Sequence, residues 1–228
     1  MTNTSTRRLH RALVATAIVA AGSAFLPSMA AAQQPFASGA QIDPAVAKAR
    51  ADSARLPYTA ADIQFMSGMI SHHAQAIVMS KMAPSHGAND EVRRLAERII
   101  NAQTDEIKLM QQWLRDRRQP VPEAKPAPMK MVMNGMEHEM LMPGMLSDAQ
   151  MKELEAANGS EFDRLFLTFM IQHHKGATSM VKDLFEAYGA GQDETVFKFA
   201  SDVNVDQTTE IGRMEKMLAS VLFGVPVR

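Results

Sequence analysis

One pattern occurs twice in this chain, first from Asp62 to Met79 and again from Asp163 to Met180. Counted from the aspartate, both copies place Phe at +3, Met at +7, a His pair at +10 and +11, Ala at +14 and Met at +17. Apolar residues recur in the first copy at intervals of three and four, as on one face of an α-helix. The sequence therefore predicts two long helices that carry one polar pattern in the same register, and this restricts the fold more than any other feature.

The repeat extends into the helix that follows each histidine pair. A Gln-x-x-Glu-Ile sequence recurs there, and its polar residues are Gln103, Glu106, Gln207 and Glu210. Each half of the chain is thus predicted to form a helical hairpin, over residues 59–118 and residues 148–222. Two such hairpins pack into an antiparallel bundle, so we predict an all-α four-helix bundle, one domain over residues 59–222, with a pseudo-twofold axis between its halves.

The beginning of the chain has the order of a secretory signal peptide. Three arginines, an apolar run and Ala30-Ala31-Ala32 follow one another within residues 1–32, and this is the order of a signal and its cleavage point. The apolar run is shorter than the about 20 residues that a membrane-spanning helix needs, so a retained anchor is the weaker alternative. We therefore predict an exported protein, periplasmic or secreted, in which residues 33–58 form a lead-in with a short helix from Asp43-Pro44.

Composition limits the partners and the types of ligand. The chain has 24 Lys and Arg against 25 Asp and Glu, and removal of the signal would make it more acidic, which argues against nucleic acid as a partner. No later stretch is long and apolar enough to span a membrane. There is no Cys, so disulfides and thiolate ligands are excluded, and the soft ligands that remain are the thioethers of 19 Met.

The histidine pairs and the methionines near them are candidate metal ligands. Met69 lies three residues before His72 and four before His73, so on a helix it neighbours both. Imidazole binds copper, zinc, iron and nickel, whereas thioether selects Cu(I), so copper is the predicted metal. The chain has neither the Glu-x-x-His of di-iron bundles nor the His-Glu-x-x-His of zinc proteases. The candidate ligands are His72, His73, His173, His174, Met69, Met79, Met170 and Met180.

Several polar residues could orient the imidazoles by accepting hydrogen bonds from the ring nitrogens that point away from a metal. These are Glu106, Glu210, Gln103 and Gln207. Asp62 and Asp163 are further candidates for this role, although each stands near the beginning of its helix and fits a cap better. A structural interpretation stays open, in which buried histidines bonded to these carboxylates fix the register of the bundle without a metal.

Residues 119–147 form a linker that is rich in Pro and Met. Its methionines are expected to follow neither a helical nor a strand period, and Asn134-Gly135 and Pro143-Gly144 predict turns. We expect either an apolar flap over the end of the bundle or a pliable thioether patch that captures Cu(I). The candidates for soft-metal capture are Met129, Met131, Met133, Met136, Met140, Met142, Met145 and His138.

The duplicated motif resembles that of a known family, domain of unknown function family 305. The family hallmark, Phe-x-x-x-Met-Ile-x-His-His-x-x-Ala, is similar to Phe65–Ala76 and Phe166–Ala177, and the resemblance runs from residue 58 to residue 221. It implies a ferritin-like four-helix bundle that is usually exported, and some Met- and His-rich members are associated with copper binding or tolerance. Thr178 and Lys175 depart from the family pattern, and a buried cation at Lys175 would disfavour a neighbouring metal.

These features together predict an exported metal-binding protein that sequesters or carries Cu(I) without catalysis and has a metal ion as its partner. Two alternatives stay open. One is a structural helical module of the envelope with a histidine network and no metal, and the other is a metal-dependent redox enzyme of unknown substrate. The sequence offers no nucleophile and base arranged for catalysis, and it leaves a homo-oligomer open.

Overall fold

The computed structural model describes residues 43–45, 48, 58–133 and 136–224, and for residues 130–133, 137 and 138 it describes the backbone alone. The predicted signal peptide, residues 1–32, and most of the lead-in lie outside these residues. Within the lead-in, Pro44, Ala45 and Lys48 are helical.

The core of the described part of the chain is a bundle of α-helices, as predicted. Helix α1 spans Ala60–Met82, α2 spans Asp90–Asp116, α3 spans Asp148–Ala156, α4 spans Gly159–Glu186 and α5 spans Glu194–Phe223. Helix α1 packs on α2 and α4 packs on α5, while α1 and α4 pack on each other, so the two hairpins meet along their histidine helices. The pseudo-twofold relation between the hairpins stays a prediction. No described helix has the length and apolar character that crossing a bilayer requires.

The two helices of the first hairpin run antiparallel. The ring of Tyr58, just before α1, lies edge-on to the ring of Trp113 near the end of α2, with 5.3 Å between the centroids. At the other end of the hairpin, Met79 of α1 and Val92 of α2 belong to one apolar cluster. The end of α1 is therefore next to the beginning of α2, as a short connection between two packed helices requires.

Two buried aspartates at helix starts connect the hairpins. The side chain of Thr59 accepts a hydrogen bond from the Asp62 amide, and Oδ2 of Asp62 accepts one from the Thr59 amide, which caps α1. Oδ1 of Asp62 accepts a further hydrogen bond of 2.7 Å from the amide of Gly191, between α4 and α5. At the start of α4, Asp163 accepts hydrogen bonds from the amide and Nδ2 of Asn89, between α1 and α2. Both carboxylates thus bind backbone and cap groups, and neither contacts a histidine through these bonds.

The linker contains a β-hairpin that was not predicted. Strand β1 spans Met129–Met133 and strand β2 spans Met136–Met140, and they pair antiparallel with Met131 opposite His138. The expectation that this segment lacks a strand period is wrong, because Met alternates with Lys130 and Val132 in β1 at the two-residue spacing of a strand. Asn134-Gly135, where a turn was predicted, lies outside the described residues.

The segment after this hairpin is pressed against α4 at Gly176. A Cβ added to Gly176 would lie 1.9 Å from the carbonyl oxygen of Pro143 and 2.6 Å from Cα of Gly144, so a larger side chain does not fit. Gln75 of α1 holds the same segment from the other side, since its Nε2 donates to the Leu146 carbonyl at 3.0 Å and its Oε1 accepts from the Leu146 amide at 2.7 Å. The linker therefore reaches the middle of both histidine helices.

Replacing Gly176 with alanine is expected to lower the free energy of unfolding by about 1–3 kcal/mol, the usual effect of overpacking. Gly212 of α5 is the matched control, because a Cβ there would meet no atom within 4 Å. Gly212→Ala should instead stabilise the protein by about 0.4–1 kcal/mol, since it restricts the unfolded chain. Chemical denaturation of the two variants measures both values, and equal effects at the two positions would contradict the close approach at Gly176.

Two apolar clusters fill the bundle, and each histidine pair stands where its helix passes from one cluster to the other. On α1, Met69 belongs to the first cluster and Met79 to the second. On α4 the order is reversed, with Met170 in the second cluster and Met180 in the first. The four histidines lie between these methionines in sequence. They therefore form a polar layer across the bundle, which we call the histidine layer.

Candidate metal centre

The histidine layer is a row of four rings. All four residues are 0% exposed. His72 of α1 and His173 of α4 lie against each other at its centre, with 3.8 Å between ring centroids and 38° between ring planes. His73 and His174 flank them, at centroid distances of 6.4 Å from His72 and 6.2 Å from His173. The packing of α1 on α4 thus brings all four predicted histidines together.

Backbone carbonyls fix the protons of the two central rings. Nε2 of His72 donates a hydrogen bond of 2.9 Å to the carbonyl oxygen of Pro143 in the linker. Nε2 of His173 donates one of the same length, 2.9 Å, to the backbone carbonyl of His72 itself. Because a carbonyl oxygen can only accept, Nε2 carries the proton in both rings, and Nδ1 of each neutral imidazole holds a lone pair.

Carboxylates lie against the two outer rings. Nε2 of His174 donates to Oε2 of Glu210 at 2.8 Å, and Arg98 of α2 donates to the other oxygen of this carboxylate at 2.9 Å. Nε2 of His73 lies 2.7 Å from Oε2 of Glu106, although the alignment of this contact is not that of a hydrogen bond. We still assign the proton to Nε2 of His73, because a negative oxygen at this distance favours an N–H over a lone pair.

The Nδ1 atoms are the unusual feature of the layer. All four are buried, and none has a hydrogen-bond partner among the described residues. A buried acceptor without a partner destabilises a protein by about 1–3 kcal/mol, so four of them in one layer are uncommon in a purely structural core. The layer therefore presents four buried imidazole nitrogens that nothing in the described part of the chain satisfies.

Burial keeps the two central histidines neutral. It is the largest cause that lowers the pKa of His72 from 6.5 to about 3, with the nearby His73 acting in the same direction and the hydrogen bond to Pro143 opposing both. Burial, followed by the nearby His72, also holds the pKa of His173 well below its usual value. Neutral imidazole is the form that binds metal ions. At pH 7 these two rings can therefore bind a metal ion without first losing a proton.

Glu210 remains ionised beside its histidine. Burial alone would raise the pKa of this carboxyl, but the hydrogen bond from His174 and the contacts of Arg98 outweigh it and lower the pKa. A carboxylate that accepts the Nε2 proton of an imidazole fixes the ring orientation and makes the opposite nitrogen more basic. Glu210 is therefore placed to strengthen Nδ1 of His174 as a ligand.

The four predicted methionine ligands are buried but do not form one group. Met69 and Met180 pack in the first apolar cluster, and Met79 and Met170 pack in the second. The thioethers are thus divided between the two sides of the histidine layer. Among the described residues, no three His, Asp or Glu side chains are grouped closely enough to hold a metal ion by themselves. A metal in the layer would therefore use fewer imidazoles than four or would draw the rings together.

The two predicted glutamines lie near the layer rather than on the rings. Gln103 and Gln207 are buried, and their Oε1 atoms have no hydrogen-bond partner among the described residues. With Glu106 and Glu210 they line a pocket of about 310 Å³ between α2 and α5. This pocket gives solvent access to the carboxylates that contact the outer histidines.

The linker candidates are distributed between the core and the surface. Met142 and Met145 are buried, Met129 is half-buried, and Met136 and Met140 are exposed. The side chains of Met131, Met133 and His138 lie outside the described residues. Lys175, which departs from the family pattern, is exposed and pairs with Glu215 at 3.1 Å, so its charge lies in solvent rather than beside the rings.

Sequence reasoning missed three residues that shape the layer. The carbonyl of Pro143 holds His72, Gly176 admits the linker segment, and Arg98 holds Glu210. Pro143-Gly144 was predicted only as a turn, and nothing in the local pattern indicates that the carbonyl of this turn reaches a helix 71 residues earlier. Arg98 stands on the charged outer face of α2, where a charge is ordinarily solvated.

The fold and its duplicated histidine pairs define a helical bundle with a buried histidine layer, and comparison with known proteins places it in a family. The chain belongs to the DUF305 family, a domain of unknown function, whose family model matches residues 62–218. An uncharacterised protein of Acanthamoeba polyphaga mimivirus is 39% identical over 57 residues, 25% of this chain. The chain spans only 38% of the length of that curated relative.

Solved structures are similar over most of the chain. A DUF305 protein of Streptomyces coelicolor, described as a candidate secreted protein, is 32% identical with a TM-score of 0.58, over 71% of this chain and 93% of that one. A DUF305 fragment from Deinococcus radiodurans is 29% identical with a TM-score of 0.59, over 72% and 99% of the two chains. CopM in its Cu(I)-bound form is 27% identical with a TM-score of 0.54, over 71% and 97%. CopM structures in Cu(II)-bound, silver-bound and apo forms are also similar.

Proposed function

We propose that this protein binds Cu(I) in its histidine layer and sequesters or carries the ion without catalysing a reaction. The observation that carries the proposal is the set of four buried Nδ1 atoms, none of which has a partner in the described part of the chain. A metal ion is the species that accepts lone pairs from several neutral imidazoles at once. The similarity to CopM, which was solved with copper and with silver, supports copper as the metal.

Charge and ligand type favour Cu(I) over divalent ions. Zinc in structural sites takes four protein ligands, and hard cations take carboxylate and carbonyl oxygens. The layer offers nitrogen lone pairs, with thioethers on either side of it and no third carboxylate or imidazole at a common point among the described residues. The Born cost of burying an ion rises with the square of its charge, so a monovalent soft ion is buried here at least cost.

The residues of the layer take different roles in this proposal. His72 and His173 are the central ligands through Nδ1, because their rings are closest to each other. Glu106 and Glu210 hold the outer rings at Nε2 and supply negative charge that offsets the charge of the ion. Arg98 positions Glu210 and does not contact a histidine through that bond. Met69 and Met170 stand one helical turn before the two histidine pairs, and the proposal adds them as the thioether ligands of the layer.

Export is part of the proposal. We infer that residues 1–32 direct the chain across the cytoplasmic membrane and that the mature protein is periplasmic or secreted. The order of charge, apolar run and small residues in that segment supports this. The candidate secreted protein of Streptomyces coelicolor is consistent with an exported family.

A purely structural role is the competing hypothesis, and the Nδ1 atoms argue against it. A histidine that only fixes register would be expected to use both ring nitrogens, since each buried polar atom without a partner lowers stability. In this layer the Nε2 atoms contact carbonyls or carboxylates, whereas the Nδ1 atoms have no partner among the described residues. One of the two nitrogens of each ring, Nδ1, is thus left for a ligand.

The test is a Cu(I) titration of the mature protein against a competing chelator, with Zn(II) and Ag(I) in parallel. We expect the protein to withdraw Cu(I) from the chelator and to bind Ag(I), with weaker binding of Zn(II). Loading should also raise the melting temperature, because an ion at 100 times its Kd stabilises the folded state by about 2.7 kcal/mol. Failure to bind either Cu(I) or Ag(I) under reducing conditions would overturn the proposal.

Replacing both carboxylates, Glu106→Gln and Glu210→Gln, is expected to weaken Cu(I) binding by about 10–100-fold, the range seen when groups that orient a metal ligand are removed. The glutamines can still accept the ring protons but carry no charge. Glu215→Gln is the matched control. Glu215 lies on α5, as Glu210 does, but its carboxylate is exposed and pairs with Lys175. The chelator titration measures all three proteins, and an unchanged affinity in the double variant would refute the role of these carboxylates.

A further inference from the structure

Three methionines meet on the surface of α1 at Gly68. A Cβ added to this glycine would lie 3.1 Å from Sδ of Met142, 3.3 Å from the terminal methyl of Met129 and 3.5 Å from that of Met180. They come from strand β1, from the segment after the β-hairpin and from α4, so the folded linker is what assembles them. We call Met129, Met142 and Met180 the methionine triad.

The triad differs from a methionine-filled core because one side of it is open. Met129 is half-buried, whereas Met142 and Met180 are buried. Met129, Met180 and Pro143 line a pocket of about 320 Å³, together with Gln64 and Asp183. A methionine that only fills a core gap has apolar neighbours on all sides. The side chains of Met129 and Met180 thus border a pocket that small solutes can reach from solvent, and Met142 packs beside them against Gly68.

A polar contact identifies the sulfur of Met129 as accessible to a ligand. Nε2 of Gln64 donates to Sδ of Met129 at 3.3 Å. A thioether is a weak acceptor, so this contact is one that a metal ion could displace at small cost. Gly68 contributes by its lack of a side chain, because a Cβ would stand 3.1 Å from the Met142 sulfur and crowd it.

The chemistry of the triad selects a soft monovalent cation. Thioethers are neutral and polarizable, and they prefer Cu(I) to zinc or to hard cations. The exposed carboxylate of Asp183 at the pocket wall adds a negative charge that attracts a cation. Thioethers do not take up protons near neutral pH, so a site made of them holds Cu(I) at a pH where exposed histidines would be protonated.

The triad is connected to the histidine layer by two adjacent residues. Met142 belongs to the triad, and the next residue, Pro143, accepts the hydrogen bond from Nε2 of His72 at 2.9 Å. Displacement of Met142 would therefore be transmitted to the contact that orients a central histidine. An ion held by the triad is at the edge of the layer that the proposed function assigns to Cu(I).

We propose that Met129, Met142 and Met180 form a second, thioether-only site for Cu(I), open to solvent, which captures the ion beside the histidine layer. The identity of the ion rests on the proposed function, whereas the site itself rests on the convergence of the three side chains at Gly68. Met129 lies in the β-hairpin of the linker, so the role assigned to that hairpin is to supply a ligand.

The test uses Ag(I), a redox-stable substitute for Cu(I), and the mature protein with ¹³C-labelled methionine methyl groups. We expect the methyl resonances of the triad to shift together during the titration. The variant Met129→Leu, Met142→Leu, Met180→Leu keeps side-chain volume and should lose one bound ion per chain while it stays folded, since such swaps cost less than about 1.5 kcal/mol. The single variant Met142→Leu provides the same readout if the triple variant is unstable.

The matched control replaces three methionines of the second cluster, Met82, Met151 and Met217, with leucine. It should bind as many ions as the wild type. The same titration in a protein with His72→Gln and His173→Gln separates the two proposals. Triad shifts that persist in that protein support the thioether site, even where binding in the layer is lost. If Ag(I) binding is lost in the histidine variant and unchanged in the triad variant, this inference is overturned and the proposed function stays intact. No binding in any of these proteins would overturn both.

Discussion

Glutamine at both central histidines, His72→Gln and His173→Gln, is expected to lower the affinity of the histidine layer for Cu(I) by more than about 100-fold. Removal of groups that only orient a metal ligand already lowers affinity by about 10–100-fold, so loss of two ligands should exceed this range. Glutamine is chosen because its Nε2 can still donate to the carbonyl oxygens of Pro143 and His72, which now receive the ring protons. Its amide oxygen replaces the soft Nδ1 lone pair with a hard one.

The control for this variant is His86→Gln. His86 lies outside the layer, where its Nδ1 is 2.8 Å from the Met82 carbonyl oxygen and its Nε2 is 2.9 Å from that of Glu155. Chelator competition should give this control the affinity of the wild type, and circular dichroism should show the same helical content in all three proteins. A double variant that binds Cu(I) within about threefold of the wild type would mean that the central rings are not ligands.

Acid is expected to destabilise the ion-free protein strongly between pH 6.5 and pH 3. In the unfolded chain a histidine titrates near pH 6.5, whereas burial holds the pKa of His72 at about 3 and that of His173 well below its usual value. Below pH 6.5 these two histidines are therefore protonated in the unfolded state and remain neutral in the folded state. The free energy of unfolding is intact above pH 6.5 and falls by about 1.4 kcal/mol per pH unit for each histidine as the pH is lowered.

Urea denaturation at a series of pH values measures this slope. For the two central histidines together it should approach about 2.7 kcal/mol per pH unit between pH 6 and pH 4. The double variant His72→Gln, His173→Gln is measured in parallel, so that contributions common to both proteins cancel. One of these comes from Asp163, whose pKa is raised by burial and which therefore stabilises the folded state as the pH falls. The glutamine variant should lose most of the slope. Parallel pH profiles for the two proteins would show that the central rings are not held neutral.

Helical periodicity is the part of the structure that the sequence could predict. The two histidine helices, the all-α fold and the cap of Thr59 with Asp62 follow from residues close together in the chain. The contacts of His73 with Glu106 and of His174 with Glu210 could also be predicted, because the same Gln-x-x-Glu-Ile sequence follows each histidine pair. These features depend on local spacing, which a repeat makes visible.

The linker could not be predicted in the same way. Its path is determined by a close approach at Gly176 and by hydrogen bonds of Gln75 and His72 to backbone groups far away in sequence. Every residue has a backbone carbonyl, so the sequence does not indicate that the carbonyl of Pro143 accepts the hydrogen bond from His72. The β-hairpin had a signal in the alternation of Met129, Met131 and Met133. A run of methionines also fits an apolar flap or a pliable thioether patch, and neither of these requires a strand.

The aspartates at the two helix starts bear on how the two hairpins fold together. Asp62 in the first hairpin accepts the amide of Gly191 in the second, and Asp163 in the second accepts the amide of Asn89 in the first. Each half therefore leaves a carboxylate without that partner until the other half has docked. This reciprocal dependence is expected to make the two halves unfold in one cooperative transition and to make a separated half a poor folding unit.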